Sequence, residues 1–130
     1  MMRYRKEKEN DEKVSAGRQW GLMMDTRRYV NDAIETLEDM YNHCAENCDS
    51  ANASGIVMRA ASIVTTARSN AMNAMLYTSE FDAASEKGNA KAMESAFRKT
   101  RTEHDESIRN LDIVKRLKQE YGQEVTGKAI

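Results

Sequence analysis

The sequence contains no proline, few aromatic residues and few glycines. Of its 130 residues, 6% are aromatic and six are glycine. Because proline inside a helix costs about 3 kcal/mol, its absence favours long uninterrupted helices. Valine, isoleucine and aromatic residues are also too few and too scattered for a sheet protein. These absences predict an all-α fold.

The chain also lacks an excess of one charge and any long apolar segment. Its 20 Lys and Arg residues against 21 Asp and Glu residues give a formal charge of −1. A general polyanion binder normally carries a basic excess, so we expect no nucleic-acid partner. There is no apolar run of about 18 residues and no apolar core typical of a secretory signal near the N-terminus. We therefore expect no membrane partner and a cytoplasmic protein with reduced cysteines.

Three long segments place apolar residues at helical spacing, and two turn signals separate them. The least charged segment, Ala51 to Tyr77, predicts a helix that buries Val64, Ala67 and Ala71. The first segment becomes regular just after Trp20 and carries an amphipathic stripe. Its members are Met23, Arg27, Val30, Ile34, Leu37, Tyr41, Cys44 and Cys48.

The turn signals and termini define the expected organisation of the chain. Turn residues cluster around Ser50 and again at residues 87–89. We expect a bundle of three long helices over residues 10–122, antiparallel and with short connections. A charged arm at residues 1–9 precedes the bundle, and a tail at residues 123–130 follows it.

Two cysteines and a histidine are the only residues that suggest a metal site. Cys44 and Cys48 share a helical face, and His43 lies next to them. A closed zinc site needs four ligands, and the only other histidine, His104, lies far along the chain. We therefore predict buried thiols on an apolar stripe, with no metal and no cofactor.

One pair of residues suggests catalysis. Arg98 is followed by five residues and then His104. This spacing resembles the arginine-to-histidine motif of the HEPN ribonucleases, which are small helical bundles. The resemblance implies that Arg98 and His104 assist attack of a ribose 2′-hydroxyl on RNA. The family usually has a polar residue such as asparagine after the arginine, where this chain has Lys99.

The chain has more apolar residues than three helical stripes can bury. Exposed apolar clusters commonly mark partner surfaces, and tryptophan is a frequent anchor. We predict that Trp20, Met24, Met72 and Leu76 bind a protein partner or a second copy of the chain. The leading hypothesis is a non-enzymatic helical interaction protein, acting as an adaptor or as a subunit of a larger assembly such as a viral particle. The alternatives are a small inhibitor of one cellular target and a HEPN-like ribonuclease.

Overall fold

The structure of the chain is a computed structural model that describes residues 14–47 and 50–126. Within these residues it contains three long helices joined by short connections, which confirms the predicted all-α bundle. They are α1 (Ala16–Asn47), α2 (Ala51–Glu86) and α3 (Ala90–Thr126). The charged arm at residues 1–9, the first residues of the predicted bundle (10–13), Cys48 and the end of the tail lie outside the described residues.

Side-chain contacts between the helices define their directions. Gln19, near the start of α1, bonds to Thr78 near the end of α2 and to Thr100 near the start of α3. At the opposite end, His43 in α1 lies 2.6 Å from the hydroxyl of Tyr121 in α3. The helices α1 and α3 therefore run in the same direction and α2 runs against both, as expected for an antiparallel bundle.

The two connections form where the turn signals predict them. Ser50 caps α2, because its Oγ accepts a hydrogen bond of 3.2 Å from the backbone N–H of the third helical residue. Gly88 then ends α2 with φ 65°, and the N–H of Asn89 bonds to the carbonyl of Ala84 at 2.9 Å. This is a Schellman ending, which glycine adopts without a Cβ clash. The side chain of Asn89 also caps α3 by accepting from the N–H of Ala92.

All three helices are longer than the sequence predicts. Helix α1 begins before Trp20, because Ser15 Oγ accepts a bond from the N–H of Arg18 and caps the first turn. Helix α2 continues beyond Tyr77, where the predicted segment ends, and Thr78 is buried with its hydroxyl bonded within the same helix. Helix α3 continues through Gly122, so the first residues of the predicted tail are helical.

The core consists of two apolar clusters separated by buried polar residues. The larger cluster lies between the C-terminal halves of α1 and α3 and the N-terminal half of α2, and the smaller one lies at the opposite end. Thr26, Asn70 and Ser107 are buried between them. The predicted residues Val64 and Ala67 are buried, and Ala71 is half-buried.

The buried stripe of α1 is rotated relative to the predicted one. Arg27 and Tyr41 were expected on the stripe but are exposed. Small residues and hydrogen-bonded polar residues occupy the buried positions of α1 instead, because they allow close helix packing. A hydrophobic pattern alone does not predict such positions. The buried residues of α1 are Gln19, Met23, Thr26, Val30, Ala33 and Met40.

Candidate functional site

Gln19 is the centre of a buried polar contact that joins all three helices. Its Nε2 donates to the Oγ1 of Thr78 at 2.9 Å and of Thr100 at 2.7 Å. Each threonine uses its own proton on the carbonyl four residues earlier, so both hydroxyls can only accept from Gln19. The amide orientation is therefore fixed, and Gln19 Oε1 has no partner among the described residues. This contact aligns the helices but presents no group to solvent.

A second polar cluster lies between α2 and α3, around the buried Asn70. Its Nδ2 donates to Glu103 Oε1 and to Glu106 Oε2, each at 3.0 Å, and its Oδ1 accepts from Asn110 at 2.9 Å. Asn73 donates to the same Glu103 oxygen at 3.1 Å. Both protons of the Asn70 amide are used, so the two carboxylates meet a neutral donor. The hydrogen bonds of the Asn70 amide are all made by side chains of α3, and we interpret the cluster as a structural contact that holds α2 and α3 together.

The structure does not bring Arg98 and His104 together. Both lie on the continuous helix α3, where six residues separate side chains by about 9 Å along the axis and about 120° around it. Arg98 forms an exposed ion pair with Glu94 at 2.7 Å. His104 packs edge-on against the ring of Tyr29 in α1. In this arrangement the two side chains therefore have separate partners and do not contact each other.

Cys44 and His43, the two described residues of the predicted metal candidates, contact different helices. Cys44 is half-buried, and its Sγ lies 3.7 Å from the Oγ of Ser54. His43 is engaged with Tyr121 on the other side of α1. Across residues 14–47 and 50–126, no group of three or more His, Cys, Asp or Glu side chains could hold a metal ion.

The four residues predicted to bind a partner are all solvent-exposed. The exposed fractions are 57% for Trp20, 42% for Met24, 70% for Met72 and 56% for Leu76. Met75, which was not among the predicted residues, is 48% exposed and lies three residues after Met72. Apolar side chains of this size are normally buried, so their grouping requires an explanation.

Trp20 and Met24 lie on the flank of α1 that faces α2. The opposite flank of α1 carries Tyr29 and His43, which contact α3. Relative to Gln19 at the centre of the buried stripe, Trp20 is rotated by about 100° and Met24 by about 140°, in the direction away from Tyr29. Trp20 therefore borders the groove between α1 and α2, and Met24 lies beside it towards the outer face of α1.

Met75 borders the same groove from the other side, and Met72 lies next to it. The flank of α2 that faces α3 carries Asn73 and Tyr77, which contact Glu103 and Lys99. Met75 lies on the opposite flank, which faces α1, and Met72 lies about 60° further round, towards the outer face of α2. The bond between Gln19 and Thr78 sets the antiparallel register and brings these methionines level with Trp20 and Met24.

We call the surface formed by Trp20, Met24, Met72 and Met75 the apolar patch. Leu76 lies next to it on the outer face of α2. The sequence contained a signal for Met75, because it falls on the same helical flank as Met72. The sequence alone does not show that Met75 lies beside Trp20, because that proximity depends on the register between α1 and α2.

Comparisons with known proteins add no family to this description. The chain matches no family model, no curated protein and no solved structure. In the part of the chain that the structure describes, no helix is long and apolar enough to span a membrane.

Proposed function

We propose that this chain is a non-enzymatic helical interaction protein that binds another protein through the apolar patch. Such a protein acts as an adaptor or as a subunit of a larger assembly. The supporting observation is the exposure of Trp20, Met24, Met72 and Met75, which the register of α1 and α2 brings to the same level of the bundle beside their groove. Tryptophan and methionine supply large contact area and adapt to a partner's shape, which suits a binding surface.

The geometry favours binding over catalysis. The buried polar groups around Gln19 and Asn70 are used to join helices, and Arg98 is separated from His104 on one helix. The residues of the apolar patch, in contrast, are between 42% and 70% exposed. Leaving that exposed apolar area in water is unfavourable by roughly 25 cal/mol per Å², and a partner that covers it would remove that cost.

The proposal is tested by a pull-down experiment. Three forms of the full chain are each used to capture proteins from extracts of the cells that produce the chain. The first is the natural chain, and the second carries Trp20→Ser and Met72→Ser together. The third carries Ile113→Ser, an exposed apolar residue of α3 outside the patch. Circular dichroism should show equal helix content in all three.

We expect a discrete protein to be retained by the natural chain and by the Ile113 variant but lost from the patch variant. If the retained protein is a second copy of the chain, sedimentation velocity will show an association that depends on concentration and disappears in the patch variant. Identical retention and identical sedimentation by all three forms would refute the proposal.

A further inference from the structure

We infer that the partner's binding element is an acidic amphipathic helix, which lies in the groove between α1 and α2. This inference rests on the proposed function of the apolar patch and specifies the chemistry of what it binds. Two antiparallel helices form a groove that accepts the apolar face of a third, a common mode of peptide recognition. The apolar patch supplies the contact for that face.

The acidic character follows from two arginines beside the patch. Arg27 lies seven residues after Trp20, and therefore on the same line along α1. Arg68 lies seven residues before Met75, on the same line along α2. Because the two helices are antiparallel, Arg27 is displaced from Trp20 in the same direction along the groove as Arg68 is displaced from Met75. The arginines therefore lie together at one end of the patch, about 10 Å along the groove from Trp20 and from Met75.

Both arginines are available to a partner. Arg27 and Arg68 are exposed, and neither has an ion-pair partner among residues 14–47 and 50–126. Two neighbouring guanidinium groups repel each other until carboxylates are placed between them. Guanidinium groups also bind carboxylates in a defined, often bidentate geometry, which fixes the position of a bound helix.

The spacing specifies the arrangement of residues in the partner helix. A separation of about 10 Å equals about seven residues, or two helical turns. The partner helix therefore carries a cluster of apolar residues on one face and a pair of carboxylates about two turns away on the same face. Either chain direction satisfies this spacing, because the helix can lie in the groove in both senses.

The test uses the emission of Trp20, which is the only tryptophan in the chain. Two stapled helical peptides without tryptophan carry the same three leucines on one face. One has a pair of glutamates two turns from the leucines, and the other has a pair of lysines there. Each is titrated into the full chain at low ionic strength, where exposed charge pairs are least screened.

We expect the glutamate peptide to shift Trp20 emission to shorter wavelength and to bind at least about tenfold more tightly than the lysine peptide. The double variant Arg27→Glu and Arg68→Glu should reverse that order, and added salt should bring the two affinities together. The variant Ile113→Ser should behave as the natural chain.

Equal binding of the two peptides, with both lost in the Met72→Ser variant, would overturn the acidic assignment while leaving the patch as the binding surface. No binding of either peptide would also overturn the inference, whereas the extract experiment would still decide the proposed function. A preference for glutamate that persists after charge reversal would place the carboxylates elsewhere and overturn the role of Arg27 and Arg68.

Discussion

Replacing Asn70 by aspartate should destabilise the bundle at neutral pH and much less in acid. In the natural chain the Asn70 amide donates to Glu103 and Glu106, each at 3.0 Å. Asn70→Asp exchanges that donor for an oxygen and places three carboxyl groups together. Neighbouring negative charges raise the pKa of the introduced carboxyl above its ordinary value of about 3.9.

The size of the effect has an upper limit, because the cluster can take up a proton. Protonating one carboxyl of ordinary pKa at pH 7 costs about 4 kcal/mol, since each unit of pKa corresponds to about 1.4 kcal/mol. The protonated group then donates to one glutamate and leaves the other without its bond, a further loss of about 1 kcal/mol. We therefore expect a loss of roughly 3–5 kcal/mol in the free energy of unfolding at pH 7.

The sign of the pH dependence follows from proton linkage. The folded variant binds the extra proton more tightly than the unfolded chain does, so its stability relative to the natural chain rises as the pH falls from 7 towards 4. Urea unfolding of both proteins at pH 7 and at pH 4.5 measures this difference. The exposed control Asn31→Asp should change stability by less than about 0.5 kcal/mol at either pH. A loss at Asn70 that is the same at both pH values would refute the reasoning.

Three further predictions concern the core and one turn, and thermal or urea unfolding checks each of them. Ala67→Leu should cost about 1–3 kcal/mol because Ala67 is fully buried, whereas the exposed Ala83→Leu should be nearly neutral; equal effects would remove Ala67 from the helix interface. Gly88→Ala should cost about 1 kcal/mol because φ is positive there, whereas Gly55→Ala within α2 should stabilise by about 0.5–1 kcal/mol. Gln19→Met should change stability by less than about 1 kcal/mol, because it removes two hydrogen bonds together with a buried unpaired oxygen; a loss above 3 kcal/mol would show that Oε1 is satisfied.

The helical class and the second connection could be predicted from sequence because local signals determine them. The absence of proline, the three apolar periodicities and the turn at residues 87–89 all indicate the same fold. Gly88 and Asn89 act in the structure as their residue types predict, one at a positive φ and one as a cap. The exposure of Trp20 and Met72 also agrees with the surplus of apolar residues.

The rotation of α1 could not be predicted, because it depends on tertiary hydrogen bonds. Gln19 is buried through its bonds to Thr78 and Thr100, which lie far from it in sequence. Without knowledge of its partners, a polar residue is expected to be exposed. The predicted stripe of α1 therefore includes Arg27, whereas the structure buries Thr26, one position earlier. The apolar patch was identified only in part for the same reason, since Met75 joins it through the register between α1 and α2.

The most direct test of the apolar patch as a partner-binding surface is photo-crosslinking inside the cells that produce the protein. A photoreactive amino acid is placed at position 72, and in a separate variant at position 116, an exposed site on the outer face of α3. We expect a discrete protein–protein adduct from position 72 and none from position 116. The same adduct from both positions, or none from position 72, would contradict the assignment of the patch.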